Sequence, residues 1–328
     1  MQTMATSARN PRLIVLALVL CAGVLYLFLH TAVSTTFYET RDPTLQDRLG
    51  RSEKIYQSML KNRSDMIRKF GPRAEDVVMF PPDKDPWPAY TAWDFFPPAF
   101  NCPHERERIG VLGDGGKWVC GLSRIAHKPD CIIYSFGISG GSSFEAELLS
   151  RTKHCQIYAY DPRSKGLGWD VPKSLKRSRT HFKPFQLAEY DAYGPTAETK
   201  LWTLKSLMAA NGHNHIDILK IDLEGWEFKA MTEFIRPFID AEDPLPIGQL
   251  HMEIHTWGKK FKELLTFFKD LEDAGLRPFM RESNLVYTNY NRASDQDLVE
   301  YSFLNTQGSN IFIEDPVQPN VHGQRSSR

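Results

Sequence analysis

The segment Asp217-Ile-Leu-Lys-Ile-Asp-Leu-Glu-Gly225 constrains this chain more than any other. Ile216 to Ile221 reads as a buried strand that ends in two carboxylates, Asp222 and Glu224, and a glycine. In open α/β sheets the carboxyl edge of the strands is where ligands bind. An apolar strand that delivers acids to that edge marks a site as well as a core.

The surrounding pattern supplies the rest of such a sheet. Apolar runs at 131–136, 156–160, 181–188, 216–221 and 249–254 read as strands, and amphipathic stretches at 144–152, 199–211, 227–238 and 259–274 read as helices between them. Alternation of this kind implies a parallel sheet covered by helices on both faces. Segments 277–280 and 301–305 are further strand candidates, open to antiparallel placement in the sheet, and 310–313 is another short one. Val111 to Cys120 reads as a hairpin turning at Asp114-Gly115-Gly116, because glycine adopts positive φ without penalty. It lacks the Ser or Thr after Lys117 that a phosphate loop requires.

Before this region, Leu13 to Leu29 is an unbroken run without charge that extends through His30 to Val33 with only mild polarity, so that 13–33 reaches the roughly 20 residues that a bilayer core demands. Arg9 and Arg12 precede it, and Glu39, Arg41 and Asp42 follow, so the expected topology has residues 1–12 cytosolic and the remainder lumenal, in the Golgi or endoplasmic reticulum. A cleaved signal peptide cut near Ala32 to Ser34 is the alternative, but signal cores run to about 7–15 residues. Residues 34–100 are expected to form a stem. It has a helix over 44–70, where Leu45, Leu49, Tyr56, Met59, Met66 and Phe70 recur at helical steps, and then a proline- and aromatic-rich linker. The globular domain spans 101–315, and 316–328 is a polar tail without pattern. Lys plus Arg and Asp plus Glu number 40 each, so charge gives no support for a nucleic-acid partner.

Cysteine use fits an oxidising compartment: Cys102, Cys120, Cys131 and Cys155 all fall on the lumenal side. Four cysteines permit three pairings. Cys102 with Cys120 is favoured, because both precede the core strands, and Cys131 and Cys155 are read as buried thiols at strand starts. No Cys/His spacing suits structural zinc. Asn62-Arg63-Ser64 is a single glycosylation sequon.

Three constellations carry chemistry. In Ile132-Ile-Tyr-Ser-Phe-Gly-Ile-Ser-Gly-Gly-Ser142 a strand, a glycine-rich turn and a helix start form a nucleoside-type site. Gly137 permits the sharp turn, while Ser139 and Gly141 keep bulk away from a ligand. The same Gly-x-Ser-x-Gly also matches a hydrolase elbow centred on Ser139, for which His255, preceded by Asp222 or Glu224, would complete a triad. In Gln156-Ile-Tyr-Ala-Tyr-Asp161 an acid ends the next strand, 20 residues after Gly141, a spacing that suits a carboxylate gripping two ribose hydroxyls. A cap of the Asp161-Pro162 turn is the plainer use. In His251-Met-Glu-Ile-His255, His251, Glu253 and His255 share one strand face and approach Asp222. Histidine can accept a proton near neutral pH, and a buried Glu–His hydrogen bond is the structural alternative. A metal site built from Asp222, Glu224, Glu253 and His255 is chemically reasonable as well.

Taken in order, Tyr134-Ser-Phe-Gly-Ile-Ser139, Tyr160-Asp-Pro162, His215 to Gly225 and Gln249 to His255 resemble the membrane-anchored methyltransferase-like proteins. Leu219-Lys-Ile-Asp-Leu-Glu-Gly225 is similar to FkbM-type O-methyltransferases. The resemblance covers roughly Asn101 to Asp315 and implies a class I methyltransferase fold: a doubly wound, mostly parallel, seven-stranded Rossmann-like sheet that binds S-adenosylmethionine. It implies that Gly137, Ser139 and Gly141 lie against methionine and ribose, with Ser135 just before the turn. It also places Asp161 on the ribose hydroxyls and Leu187 and Ala188 near adenine. Ser135 stands where the family commonly has an acid, and Ser139 where it has glycine.

The expected function is S-adenosylmethionine-dependent methyl transfer, O-directed by analogy with the FkbM branch. His255 or Asp222 serves as base, Glu253 orients His255, and Trp226 and Trp257 border the site. Two other classes fit parts of the sequence. A Golgi-type glycosyltransferase shares the layout and would use Asp222-Leu-Glu224 on a metal-bound nucleotide sugar, but leaves the glycine turn and Asp161 without a role. A non-catalytic binding module would explain the departures at Ser135 and Ser139.

Overall fold

The computed structural model describes residues 15, 18–26, 42–77, 89–138, 140–290 and 296–315. Of the predicted span 13–33, residues 15 and 18–26 are helical, and the rest lies outside the described residues, as do the tails 1–12 and 316–328. Among the described residues no helix is long and apolar enough to cross a membrane.

Residues 43–314 form one compact unit. It opens with α1 (Leu45–Phe70), followed by a hairpin of β1 (Arg106–Ile109) and β2 (Lys117–Cys120), then the short α2 (Leu122–Ile125). The alternating region comprises β3 (Ile132–Phe136), α3 (Ser143–Arg151), β4 (Gln156–Tyr160), α4 (Lys173–Arg179), β5 (Thr180–Lys183), β6 (Phe185–Leu187), β7 (Lys200–Trp202), α5 (Leu204–Asn211), β8 (Ile216–Ile221), α6 (Glu227–Ala241) and β9 (Ile247–His255). It closes with α7 (Phe261–Asp273), β10 (Leu276–Ser283), α8 (Leu285–Tyr290) and β11 (Leu298–Asn305).

The main sheet has seven strands in the order β10-β11-β9-β8-β3-β4-β5. β9, β8, β3, β4 and β5 run parallel, and β11 runs antiparallel to both of its neighbours. The expected seven-stranded, mostly parallel sheet is therefore present, and β11 makes it a mixed one. β8 lies at its centre with all of its residues buried, the reason its sequence is almost continuously apolar. Its one early charge, Asp217, accepts the Ile132 N–H at 2.9 Å and faces Lys128 at 3.3 Å, so it ties β8 to β3. Two apolar clusters pack the two faces of the sheet. One gathers Phe95, Phe96, Phe228, Phe234 and Phe268, and the other Tyr56, Phe100, Phe144, Leu148 and Phe312.

Several local expectations are corrected. The strand expected over 181–188 is broken at Pro184, which has no N–H for a ladder. β5 stays in the main sheet, while β6 leaves it to pair with β7. The helix expected from 199 begins only at Leu204, because Thr203 caps it by accepting the Ser206 N–H at 3.2 Å. Residues 310–313 form a turn rather than a strand, closed by the Phe312 N–H on Asn310 Oδ1. The Cys102–Cys120 bridge forms as expected, but Cys131 and Cys155 are also bridged and are not free thiols. Each directly precedes a strand of the parallel β3–β4 pair, which brings their backbones side by side.

The helix placed in a stem lies against the domain. Tyr56 is fully buried and donates to Glu272 Oε1 at 2.9 Å, and Arg63 clasps the same carboxylate at 2.7 and 2.6 Å. Arg277 returns two bonds to Glu53. The sequon residue Asn62 is exposed, but on the helix rather than on a loop.

Candidate active site

The carboxyl edge of the parallel strands carries two cavities that share Gly137, Asp222 and Glu224 in their walls. The smaller, about 170 Å³, lies among the ends of β3, β4, β6 and β8, against Asp161, Phe185, Leu187 and Trp226. The larger, about 510 Å³, opens between the glycine turn, the hairpin loop, β9 and α8.

The glycine turn fits its expected role at one position above all. Gly137 has φ +71°, and a Cβ there would lie 1.9 Å from the Asp222 carbonyl oxygen. Only a residue without a side chain lets the loops after β3 and β8 approach this closely. Gly141 lines the larger cavity with open space around it. Ser139 lies outside the described residues.

Ser135 does not line either cavity. It is buried and donates to Glu145 Oε1 at 2.5 Å. Glu145, from α3, faces Lys220 at 3.8 Å, and the Lys220 ammonium donates to the Gly137 carbonyl at 2.8 Å. A carboxylate from the following helix thus stands beside position 135, which no strand-based reading could place. A second missed segment, Gly166 to Val171, folds over the turn. The Gly168 N–H donates to Ser142 Oγ at 2.8 Å, and the Ser142 N–H to Asp170 at 3.1 Å.

Asp161 lines the smaller cavity as expected, and is also a loop-forming residue. Oδ2 accepts the Ile138 N–H at 3.1 Å, and Oδ1 accepts the N–H groups of Arg163 and Ser164 at 2.7 and 3.1 Å. The cap and the ligand-facing position coexist in one carboxylate. Leu187 is buried and lines the same cavity.

On the other side, Asp222, Glu253 and His255 come together: one ligand-type atom from each lies within 4.8 Å of the others. Glu224 is not in this group. It sits with φ +53°, followed by Gly225 at +96°, and its side chain is half exposed, 4.0 Å from Arg163. Two consecutive left-handed residues, one of them not glycine, are a strained way to leave a strand, and such strain concentrates at functional sites.

The orienting partner expected for His255 is corrected. Glu253 does not hold it. Glu227, fully buried in the first turn of α6, accepts the His255 backbone N–H at 2.8 Å and pairs with Nδ1 at 3.1 Å. Burial disfavours the charged imidazole, but the Glu227 hydrogen bond and the charges of Glu227, Asp222 and Glu224 outweigh it and raise the His255 pKa. Glu253 instead meets Asn284 Nδ2 at 3.3 Å, which also reaches Asp114 of the hairpin loop. Burial, then the charges of Glu300 and Asp222, push the Glu253 carboxyl well above the usual range. Glu300 stands directly opposite Glu253 on β11, and buried Lys117 of β2 pairs with it. Burial favours the neutral amine at Lys117, but Glu300, Glu253 and Asp222 together hold it as ammonium. His251, further down the same face, is pushed to about 3 by burial and Lys117; it bonds Ser302 at 3.0 Å and lies away from the cavities. Trp257 packs on His255 with centroids 4.5 Å apart.

A largely parallel seven-stranded sheet with one antiparallel strand beside the edge, an acid after β4 and a glycine turn after β3 is the arrangement of a class I methyltransferase fold. A family described as a methyltransferase domain matches residues 58–304, and the chain belongs to that family. Probable methyltransferase-like protein 24 of Rattus norvegicus is 29% identical over 140 residues, 41% of this chain and 36% of that protein. The Homo sapiens protein of the same name is 28% identical over 139 residues, 41% of this chain and 35% of its own length. The match thus spans about a third of the curated relatives. Among solved structures, Aeropyrum pernix fibrillarin with natively bound S-adenosyl-L-methionine aligns with TM-score 0.33 and 14% identity, over 55% of this chain and 68% of its own. Methyltransferase FkbM from Methylobacillus flagellatus aligns with TM-score 0.31 and 12% identity, over 54% and 44%. S-adenosylmethionine is the cofactor of this fold, and the residues present fit it: a cleft with apolar side chains at Phe185 and Leu187, an acid at Asp161 and a turn at Gly137 stripped of side chain.

Proposed function

We propose that this protein transfers the methyl group of S-adenosylmethionine to an oxygen of its acceptor. The observation that carries the reading is the shared wall: Gly137 and Asp222 border both the cofactor-type cleft and the larger cavity, into which Asp222, Glu253 and His255 face. Bound cofactor supplies an electrophilic methyl on a sulfonium. Asp161 and Gly137 position it, and the larger cavity receives the acceptor. There His255, with Nδ1 held by Glu227, presents its other nitrogen as the group that takes the acceptor's proton. Transfer of this kind is dominated by positioning, which rigid strand ends supply. Oxygen as the acceptor atom is supported by the likeness of Leu219 to Gly225 to FkbM-type enzymes.

We place this domain on the lumenal side of a membrane, tethered through residues 13–33. Two disulfides are typical of an oxidising compartment, and Arg9 and Arg12 flank the apolar run on its cytosolic side.

The test is thermal unfolding of the full chain, produced in a secretory host, with and without S-adenosylhomocysteine. Binding to the folded state alone adds about 2.7 kcal/mol at a hundredfold excess over Kd. Asp161→Asn keeps the side chain's size but sets an NH2 against a backbone N–H, so circular dichroism first establishes that the variant is folded; its affinity should then fall about 10- to 100-fold, the value of a charged hydrogen bond. Folded protein that does not respond to S-adenosylhomocysteine would overturn the reading. A response to UDP-sugar with manganese, beyond that to manganese alone, would point instead to a nucleotide-sugar transferase.

A further inference from the structure

We propose that Asp222, Glu253 and His255 bind a divalent cation of the Mn²⁺ or Zn²⁺ type, with positions left open toward the larger cavity for an acceptor oxygen. The inference rests on the reading above that this cavity receives the acceptor.

Two carboxylates and an imidazole on neighbouring strand ends form a mixed O,O,N donor set, which suits these ions better than Mg²⁺ or Cu⁺. Donor atoms of one ion stand about 3–3.5 Å apart when each bond is near 2.1 Å. One ligand-type atom from each residue lies within 4.8 Å of the others, so a bound ion would draw the Asp222 and Glu253 carboxylates inward toward the fixed imidazole. The surroundings also point to a ligand. His255 is only 2% exposed, Glu227 occupies Nδ1, and Nε2 has no hydrogen-bond partner among the described residues although the residue lines the cavity. A carboxylate behind one imidazole nitrogen is the arrangement that fixes the other as a metal ligand. The Asp222 carboxylate likewise makes no side-chain hydrogen bond among the described residues. The two nearby lysines are engaged elsewhere: Lys117 pairs with Glu300, and Lys220 bonds the Gly137 carbonyl beside Glu145. Among the described residues no ammonium or guanidinium lies within ion-pair distance of the Asp222 or Glu253 carboxylate; Lys117 acts on both from its pair with Glu300, and an ion would displace the proton that burial favours on Glu253.

A cation here narrows the acceptor to one with a hydroxyl that can enter the coordination sphere. Coordination lowers the hydroxyl's pKa, and its proton leaves to solvent through the open mouth. The acceptor oxygen then bonds to the methyl carbon as the carbon–sulfur bond breaks, and that electron pair stays on sulfur. His255 serves as ligand in this state rather than as free base.

The experiment uses the full chain stripped with a chelator. Mn²⁺ binding is followed by electron paramagnetic resonance, Zn²⁺ binding by calorimetry, and the S-adenosylhomocysteine thermal shift is measured on the same samples. One saturable ion per chain is expected. Glu253→Gln and His255→Ala should each weaken binding at least tenfold and Glu227→Gln by about 10- to 100-fold, whereas Glu224→Gln, outside the donor set, should weaken it far less than either ligand variant. A retained S-adenosylhomocysteine shift shows that each variant is folded. Absence of saturable binding, or unaltered affinity in folded Glu253→Gln, overturns the site. Loss of the S-adenosylhomocysteine response with ion binding intact would instead overturn the methyltransferase reading.

Discussion

Glu272→Gln tests whether α1 is an integral wall of the domain. The Glu272 carboxylate and the Arg63 side chain are each only 9% exposed, and the pair is joined by two hydrogen bonds with Tyr56 as a third donor. Removing one charge leaves a guanidinium largely shut off from water, and breaking such a pair costs about 3–5 kcal/mol. Gln keeps an acceptor for Tyr56, so the low end, about 3 kcal/mol, is expected. Tyr56→Phe removes a single hydrogen bond to a charged group, about 1.5 kcal/mol. Arg63 also lies over the Phe96 ring at 5.2 Å, and Met at 63 keeps that packing. The double variant Arg63→Met/Glu272→Met removes both charges and should be less destabilised than either single one. Urea unfolding followed by two probes measures these differences, with a constant m-value indicating that α1 unfolds with the rest. Glu272→Gln costing under about 1 kcal/mol, or a double variant costing the sum of the singles, would refute the argument; a pair so enclosed cannot be that cheap to break.

Gly137→Ala should destabilise by more than about 2 kcal/mol, because alanine in a left-handed conformation loses 1–2 kcal/mol before the clash with the Asp222 carbonyl is relieved; it should also abolish the S-adenosylhomocysteine shift, as calorimetry would show. Replacing Cys131 and Cys155 by serine opens a bridge across 24 residues and should lower stability by about 3 kcal/mol in denaturant titrations. Glu53 gives an acid-side signature. Burial opposes its ionisation, but hydrogen bonds from Arg277 and Gln57 outweigh that and hold its pKa below the usual 4.5. The folded state gives up this proton more readily than the unfolded state, so the contribution is present above pH 4.5 and fades as pH falls through the lower folded value. Glu53→Gln should remove that part of the acid dependence in unfolding measured across the same range.

The sequence by itself determined the sheet and its chemical edge. Strand and helix periods are local properties, so the runs that became β3, β4, β8 and β9 could be read directly, and period-two geometry placed Glu253 and His255 on one face. The acid at the end of β8 and the turn at Gly137 were legible because each sits at a fixed offset from a strand end. Tertiary structure decided which groups meet those residues. Glu227, not Glu253, holds His255; Lys117 and Glu300 reach the cluster from β2 and β11; and Glu145 sets a carboxylate against Ser135. Each comes from an element whose distance is set by sheet order rather than by sequence spacing. The same is true of Cys131 and Cys155, which looked like strand-start thiols until the parallel register of β3 and β4 placed them side by side. The helix of α1 was legible from its stripe, but its partner was not, because a periodic face says that something is buried and not against what.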